Sequence, residues 1–456
     1  MKNLFGTDGM RGAAGEFPLD EPTVRIVGFS LARHLTNALG RPPVIVLGRD
    51  TRESGTWIER ALIEGAAASD AECHSAGVIT TPGVAFLTRT LPADVGVVIS
   101  ASHNPFQDNG IKLFAPSGRK FDEKTERLIE GDIFAKLAVA ETKAGELRIA
   151  NDAPDLSNRY LDFLMHEIGR ELSLKNLRIV VDCANGAASE LAPRLFEGLA
   201  AKVIAINNKP DGKNINRDSG SLHMDSLHKR VISERADIGI AFDGDADRSL
   251  FIDASGNYVD GDATLWVLAN YYQARNQLVN ATVVATVMSN IGLELALRSQ
   301  GIRLVRTDVG DKYVLDELLR SGTSLGGEQS GHLIMPSLSL AGDGMITSLC
   351  LLRSMRESGE SLSKLNAGFR RYPQTLVNVR VREKRPFAEV PEIRDAAAEV
   401  EAKLDGQGRL LLRYSGTEPL ARIMIEGSDQ TEIEGYARNL ASVIQRTLGG
   451  PDGPKE

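Results

Sequence analysis

Residues 99–112 read Ile99-Ser100-Ala101-Ser102-His103-Asn104-Pro105-Phe106-Gln107-Asp108-Asn109-Gly110-Ile111-Lys112. The apolar run Val95 to Ile99 that leads into them has the character of a buried strand, and it ends in small and polar residues, then Asn-Pro and Asn-Gly, which are turn signals. Ser102 is therefore expected on a loop at the carboxyl end of a buried strand. In α/β proteins ligands usually sit there, so a hydroxyl held in that place is a candidate reactive group. A serine that merely caps a turn reads the same way locally.

On either side the chain alternates apolar strands with helical spacing. Val24 to Leu39 is expected as helix, Pro43 to Leu47 as strand and Thr56 to Ala68 as helix, an order that predicts parallel sheet with crossover helices. The loop Gly48-Arg49-Asp50-Thr51-Arg52 carries two arginines that could meet phosphate or lie on a solvated turn. A charged stretch around Glu141 to Asp155 marks a first boundary. Helix Leu156 to Leu172, strand Leu177 to Val181, helix Gly186 to Leu199, strand Lys202 to Ile206, helix Met224 to Arg235 and strand Asp237 to Phe242 then make a second α/β section. A third begins near Gly256, with helices Asp262 to Ala274, Gly292 to Ser299 and Gly310 to Leu319 between strands Thr282 to Met288 and Arg303 to Arg306. From Gln374 the order becomes β-α-β-β-α, with helix Pro391 to Leu404 and a closing helix Thr431 to Leu448, and the Gly/Pro-rich tail Gly449 to Glu456 is expected to be disordered. The domain expectation is 1–152, 153–256, 257–372 and 373–456.

Composition narrows the function. With 456 residues, 42% hydrophobic and 25% charged, the chain can bury several cores. Its net charge of −8 argues against a general nucleic-acid binder, which needs a basic surface. Cys73, Cys183 and Cys350 are widely spaced with no CxxC, so they read as inert core thiols rather than a disulfide or zinc framework. Met1 to Gly9 lacks the apolar segment of a signal peptide and no run approaches a membrane span, so a soluble cytoplasmic protein without membrane partners is expected.

The sharpest chemical signal is Asp243-Gly244-Asp245-Ala246-Asp247-Arg248. Carboxylates at i, i+2 and i+4 point to one side of an extended backbone, and the small residues between them let the loop close on a hard cation, Mg²⁺ being the natural choice beside phosphate. An EF-hand would need Gly and Glu where Arg248 and Ala254 stand, while a phosphatase with an aspartate nucleophile and a plain acidic turn both remain open. Arg413-Tyr414-Ser415-Gly416-Thr417-Glu418-Pro419, with Arg422 following, combines guanidinium groups, hydroxyls and a glycine-containing loop, the makings of a phosphate cradle or an ordinary turn. Gly326-Gly327-Glu328-Gln329-Ser330-Gly331-His332 offers polar side chains suited to sugar hydroxyls, or a β-turn with a structural histidine. Gly6-Thr7-Asp8-Gly9-Met10-Arg11-Gly12 places Arg11 near an anion or forms an entry loop.

Together, FGTDGMRG at Phe5 to Gly12, ISASHNPFQDNGIK at Ile99 to Lys112, DGDADR at Asp243 to Arg248, GGEQSGH at Gly326 to His332 and RYSGTEP at Arg413 to Pro419 make the whole chain resemble the α-D-phosphohexomutase superfamily, most closely its glucosamine branch. Two departures stand out: Ala246 where the metal loop usually has glycine, and Met10 where valine is common. The resemblance implies an α/β protein of four domains around a central cleft, three similar mixed-sheet α/β domains and a smaller C-terminal α+β domain. It implies an intramolecular phosphotransferase interconverting glucosamine 6-phosphate and glucosamine 1-phosphate through a phosphoserine at Ser102 and a 1,6-bisphosphate, on the route to UDP-N-acetylglucosamine. One Mg²⁺ per subunit would be held by Ser102, Asp243, Asp245 and Asp247. Arg11 and Arg248 would offset charge near the transferring group, and Lys112 and His103 would handle protons. Glu328, Ser330 and His332 would hold the sugar, and Arg413, Ser415, Gly416, Thr417 and Arg422 the idle phosphate. Glucosamine 1,6-bisphosphate or a similar hexose bisphosphate is the expected activator, a phosphosugar the expected partner, and a homodimer the expected assembly. The rival readings are a phosphomannomutase or phosphoglucomutase of the same fold, a Mg²⁺-dependent sugar phosphatase, and a sugar-phosphate sensor that would tolerate loss of Ser102.

Overall fold

In the computed structural model Val95–Ile99 is a strand in which all five residues are buried, near the middle of a seven-stranded sheet. The residues described are 3–6, 8–136, 149–150, 153–415 and 418–449. Most of the charged stretch Glu141 to Asp155, nearly all of the tail after Gly449, and Gly416 and Thr417 lie outside them.

The sheet order is Phe5–Gly6, Gly9–Ala13, Asp108–Phe114, Val95–Ile99, Val44–Arg49, Glu72–Val78, Ile149–Ala150. Val95–Ile99 and Glu72–Val78 run parallel to Val44–Arg49, as the strand-helix alternation predicted, and the antiparallel Asp108–Phe114 makes the sheet mixed, as the family resemblance implied. Asn109-Gly110 was expected as a turn. The pair does not turn the chain; it sits inside strand Asp108–Phe114, where a Cβ on Gly110 would come within 2.6 Å of the Ser100 carbonyl oxygen. Close backbone approach, rather than a turn, needs the glycine there. Helices Glu21–Leu39 and Glu53–Ala67 cover the sheet, and the core they close contains Val27, Leu31, Ile58, Leu62, Val97 and Ile111.

Two further sheets follow. One is ordered Tyr258–Val259, Ser249–Asp253, Ile238–Phe242, Arg178–Asp182, Lys202–Ile206, and the other Arg303–Thr307, Thr282–Thr286, Gly326–Gly327, Leu333–Ile334. Both mix parallel and antiparallel pairs. Where one helix over Leu156 to Leu172 was expected, the α-helix Ala153–Phe163 passes into a π-helical turn, Leu164–Ile168. Four α-helices were not anticipated: Thr81–Thr90, Glu123–Phe134, the largely buried Gly344–Ser358 and the short Leu362–Leu365.

The chain packs as two compact units, one of residues 1–288 with 305–367, the other of 289–304 with 368–456. In the second, the sheet Gln374–Arg380, Leu420–Glu426, Arg409–Tyr414 packs on helices Pro391–Leu404 and Gln430–Leu448 around Val379, Ile393, Ile423, Leu440 and Ile444. The buried Glu426 carboxylate accepts from the Ile291 N–H at 3.1 Å and from Arg409 Nε at 2.9 Å, which ties helix Ile291–Ser299 into this unit. Cys73, Cys183 and Cys350 are buried and free, and burial pushes the Cys73 thiol up to about 12 and that of Cys350 up to about 11. No described helix is long and apolar enough to cross a membrane.

Candidate active site

Ser102 follows the buried strand by three residues, is wholly buried, and has a left-handed backbone (φ 51°), which L side chains rarely adopt. Its hydroxyl donates to Asp243 Oδ2 at 2.6 Å and lies 3.3 Å from His103 Nδ1. Turn capping does not account for a serine bonded to an aspartate 141 positions away.

Asp243, Asp245 and Asp247 occupy the connection between antiparallel strands Ile238–Phe242 and Ser249–Asp253. They converge differently from the expected extended alternation. The segment is a tight turn, with the Ala246 N–H on the Asp243 carbonyl at 3.1 Å and Ala246 left-handed at φ 55°. Ala246 thus adopts the conformation that glycine would take more cheaply, and all three carboxylates stay in place, each offering an oxygen within 4.8 Å of the others. All three are buried, and Asp245 Oδ1 and Asp247 Oδ1 have no hydrogen-bond partner among the described residues. Buried carboxylate oxygens without donors are costly unless a cation takes them, so this donor set fits a hard divalent ion. Gly244 is required by contact: a Cβ there would lie 2.5 Å from the Ser102 carbonyl oxygen.

Lys112, on strand Asp108–Phe114, sends Nζ to Asp245 Oδ2 at 2.9 Å, with Asp8 at 3.3 Å and Asp247 at 3.7 Å. Asp8 also pairs with Arg11 and, at 2.7 Å, with Lys120, which reaches Asp311 at 2.7 Å. His332 closes the ring, its Nε2 3.8 Å from Asp311 and its Nδ1 3.6 Å from Asp247. Beside this ring opens a cavity of about 680 Å³ lined by Asp8, Lys112, Lys120, Asp311 and His332. Thr81, at the start of helix Thr81–Thr90, donates to Asp245 Oδ2 at 2.6 Å.

These neighbours set the protonation states. Burial, then the charges of Asp247 and Asp245, raise the Asp243 carboxyl well above the usual range. Burial works the same way on Asp247, but Lys112 and His332 outweigh it and hold Asp247 well below. Burial disfavours the Lys112 ammonium, yet Asp245, Asp8 and Asp247 more than offset it, so Lys112 is a cation able to donate. His332 is likewise raised, against burial, to about 9 by Asp247, Asp311 and Glu328. His103 goes the other way: burial, then Arg248 and Arg11, lower it, which leaves a neutral ring whose Nδ1 faces Arg248 Nη1 at 3.2 Å. Arg11 Nε is buried without a hydrogen-bond acceptor among the described residues, as a group awaiting an anion would be, while Arg248 Nε makes no hydrogen bond there but lies 3.7 Å from Asp247 Oδ1.

In the sugar-loop motif, Glu328 Oε1 accepts the Gly310 N–H at 3.2 Å, while Ser330 Oγ and Gln329 Nε2 are shielded and unpartnered among the described residues. In the second unit, taken by itself, Arg413 and Arg422 are directly opposed on antiparallel strands Arg409–Tyr414 and Leu420–Glu426. Directly opposed like charges repel unless an anion joins them. Arg422 Nη2 lies 3.4 Å from Ser415 Oγ, and Lys384 donates to the Ser415 carbonyl at 2.6 Å.

Sequence reasoning missed several of these residues. Asp8 stands inside the quoted motif FGTDGMRG, and Thr-Thr-Pro-Gly at Thr80 to Gly83 is a helix-start signal that pointed to Thr81. Lys120, Asp311 and Lys384 carried no local signal. Of the arginines in the loop Gly48 to Arg52, Arg49 pairs with Glu59 at 3.0 Å and stays partly exposed, whereas Arg52 is fully buried and paired with Asp50, so the solvated-turn reading fails for Arg52.

Four consecutive segments match the domains of phosphoglucomutase/phosphomannomutase: alpha/beta/alpha domain I over residues 2–139, domain II over 158–256, domain III over 260–372, and the C-terminal domain over 376–443. The chain belongs to the phosphoglucomutase/phosphomannomutase family. Within that family it is 47% identical over 448 residues to a phosphoglucosamine mutase of Solibacter usitatus (strain Ellin6076), covering 98% of this chain and 99% of the relative. It is 46% identical to a phosphoglucosamine mutase of Geobacter sp. (strain M21), covering 99% of each. The phosphoglucomutase/phosphomannomutase fold recurs in a solved structure of a family protein from Burkholderia thailandensis, with a TM-score of 0.79 at 22% identity over 100% of both chains. Aspergillus fumigatus N-acetylphosphoglucosamine mutase, solved with GlcNAc-6P and magnesium, aligns with a TM-score of 0.66 at 18% identity over 98% of this chain and 96% of that one.

Proposed function

We propose that this chain is an isomerase that interconverts glucosamine 6-phosphate and glucosamine 1-phosphate by carrying a phosphoryl group on Ser102, a step toward UDP-N-acetylglucosamine. The observation that carries the reading is the buried Ser102 hydroxyl bonded to Asp243 within a cluster of three carboxylates, with Arg11, Arg248 and Lys112 around it. Full-length relatives with the glucosamine name favour the amino sugar over glucose or mannose.

The phosphorylated serine gives its phosphoryl group to a free hydroxyl of the sugar monophosphate: the Oγ–P bond breaks, an O–P bond to the sugar forms, and the hydroxyl proton passes by way of the neutral His103, 3.3 Å from Ser102 Oγ, to the departing serine oxygen. The resulting 1,6-bisphosphate turns round and Ser102 Oγ takes the other phosphoryl group, returning a proton to the sugar oxygen. Phosphoryl transfer asks chiefly for positioning and charge neutralisation. Arg11 and Arg248 supply donors for the transferring group, and at the sugar oxygen the cationic Lys112 donates a proton while the neutral His103 accepts one. Asp243, Asp245 and Asp247 would hold one Mg²⁺ with a Ser102-bound oxygen, and the ion would neutralise charge on the group in transit. Glu328, Ser330 and His332 bind the sugar. The second unit's Arg413, Ser415 and Arg422, with Gly416 and Thr417, bind a phosphate. A hexose bisphosphate would serve as activator by loading Ser102, and the four domains would be 1–152, 153–256, 257–372 and 373–456, each carrying at least one of the motif loops.

A coupled assay with glucosamine, glucose and mannose phosphates tests this. Fastest turnover of the glucosamine phosphates is the expected result. Preference for mannose or glucose phosphate would move the chain to another branch, and release of inorganic phosphate would make it a phosphatase.

A further inference from the structure

The Ser102 backbone is held from behind by two side chains, those of Arg52 and Asn216. Arg52 is 0% exposed and its guanidinium is fully engaged: Nη2 donates to the carbonyls of Ser102 and Asn104, both at 2.9 Å, Nη1 to that of Pro105 at 2.6 Å, and Nε to Asp50 at 2.9 Å. Asp50, also 0% exposed, accepts the Ser100 hydroxyl at 2.6 Å, and Ser100 Oγ in turn accepts the Ser102 N–H at 2.9 Å. From the second sheet's side, Asn216 Nδ2 donates to the same two carbonyls, at 2.8 Å to Ser102 and 3.0 Å to Asn104. Both backbone polar groups of Ser102 are thereby fixed, on a residue whose φ of 51° has little intrinsic stability.

We infer that Arg52 and Asn216 are positioning residues for phosphoryl transfer, holding Ser102 in its left-handed conformation so that Oγ faces Asp243; the inference rests on the reading of Ser102 as the phosphoryl carrier. A planar guanidinium reaches three diverging carbonyls and a carboxylate at once, which a lysine ammonium cannot do from one position. Asn216 comes from the section that also carries the carboxylate turn, and Gly244 of that turn would touch both Asn216 Nδ2 and the Ser102 carbonyl if it had a Cβ, at 2.9 Å and 2.5 Å. The serine loop and the carboxylate turn are therefore indexed to each other through one asparagine.

The test uses full-length Arg52→Lys and Asn216→Gly, the latter chosen because Asn216 is itself left-handed at φ 59° and glycine keeps that conformation. Each is measured for steady-state kcat and KM with glucosamine 6-phosphate, and for the single-turnover rate constant of Ser102 phosphorylation by glucosamine 1,6-bisphosphate, followed by intact mass. A rate constant is unaffected by an inactive fraction, so a merely structural role would leave it unchanged. The expected result is a fall of roughly 10²-fold in that rate constant and in kcat, with KM within about threefold, the cost of misplacing a reacting atom by about 1 Å. A wild-type rate constant in Asn216→Gly overturns the inference, and does so even if Arg52→Lys fails to fold. Ser102→Ala run alongside separates the two levels: if it still turns over, the phosphoryl-carrier reading fails, whereas a dead Ser102→Ala beside a fast Asn216→Gly removes only the positioning role.

Discussion

Ser102 Oγ and Asp243 Oδ2 stand 2.6 Å apart although 141 positions separate them in the chain. The contact joins a loop after a strand of one sheet to a turn between strands of another, and it bonds a nucleophile-capable hydroxyl directly to Asp243 of the carboxylate cluster. Ser102→Ala removes a single side-chain hydrogen bond to that cluster, so the fold is expected to survive while turnover drops by at least ~10⁴-fold. Intact mass of the active wild type should show a species one phosphoryl group heavier, absent in Ser102→Ala.

Metal removal is the second check. Asp245 Oδ1 and Asp247 Oδ1 have no donors among the described residues, so the cluster should be stripped by EDTA with loss of activity and refilled by Mg²⁺. Isothermal titration of the stripped protein should give one Mg²⁺ per chain, and undiminished turnover after exhaustive chelation would dismiss the ion.

Selectivity at C2 should be modest. One phosphoserine serving C1 and C6 requires two sugar orientations, and the C3 and C4 hydroxyls near the axis of that turn can meet Glu328 and Ser330 in both. A substituent that is not strictly read separates substrates by only ~1–3 kcal/mol, roughly 10- to 200-fold. Glucose phosphate is expected as a slow substrate, and Glu328→Ala should lower kcat/KM for both sugars alike.

The opposed Arg413 and Arg422 give a prediction of opposite signs for binding and stability. Arg422→Ala removes one of two opposed like charges together with a 3.5 Å pair to the exposed Glu418, which contributes little at the surface, so unfolding free energy without phosphate should stay level or rise by up to ~1 kcal/mol. KM for the phosphosugar should rise, by about 10- to 100-fold if one charge-assisted contact of ~1.5–3 kcal/mol is lost. Denaturant titration and steady-state kinetics on the same preparation check both.

Asp343 supplies a pH dependence of stability. Burial raises its carboxyl to about 6, against the bonds it accepts from the Ile346 and Met345 N–H groups and from Tyr160. With the folded value above the ordinary one of 3.8, the native state binds the proton more tightly. The contribution is therefore present in full below about pH 4 and is lost as pH rises through 6, amounting to on the order of 2–3 kcal/mol. Asp343→Asn should flatten that slope, so metal-free mutant and wild type should differ more favourably for the mutant at pH 7.5 than at pH 4.5 in urea titrations.

Much of this was legible in the sequence because it is local. Strands Val95–Ile99 and Lys202–Ile206 and helix Pro391–Leu404 fall where their apolar patterns put them, and the carboxylate triad announces itself by its density of charge. What escaped is tertiary. Gly110 reads as a turn residue until the Ser100 carbonyl is seen against it, and Arg52 reads as a surface charge until Asp50, Ser102, Asn104 and Pro105 are found around its guanidinium. Helix Gly344–Ser358 is buried along nearly its whole length and so lacks the one-sided apolar stripe by which a surface helix is recognised. Lys120 and Asp311 acquire meaning only from residues distant in the chain: from each other, from Asp8 and from His332.

The three sealed cysteines make the protein its own stopwatch. Cys73 lies in the first sheet, Cys183 just past a strand of the second, and Cys350 in the helix Gly344–Ser358, and none can react with a thiol reagent while its surroundings stay closed. Labelling kinetics at each sulfur would consequently time the opening of a different region under native conditions, from local breathing to global unfolding. If phosphosugar or Mg²⁺ steadies one region more than another, the three clocks should slow by different factors, with no probe added to the chain.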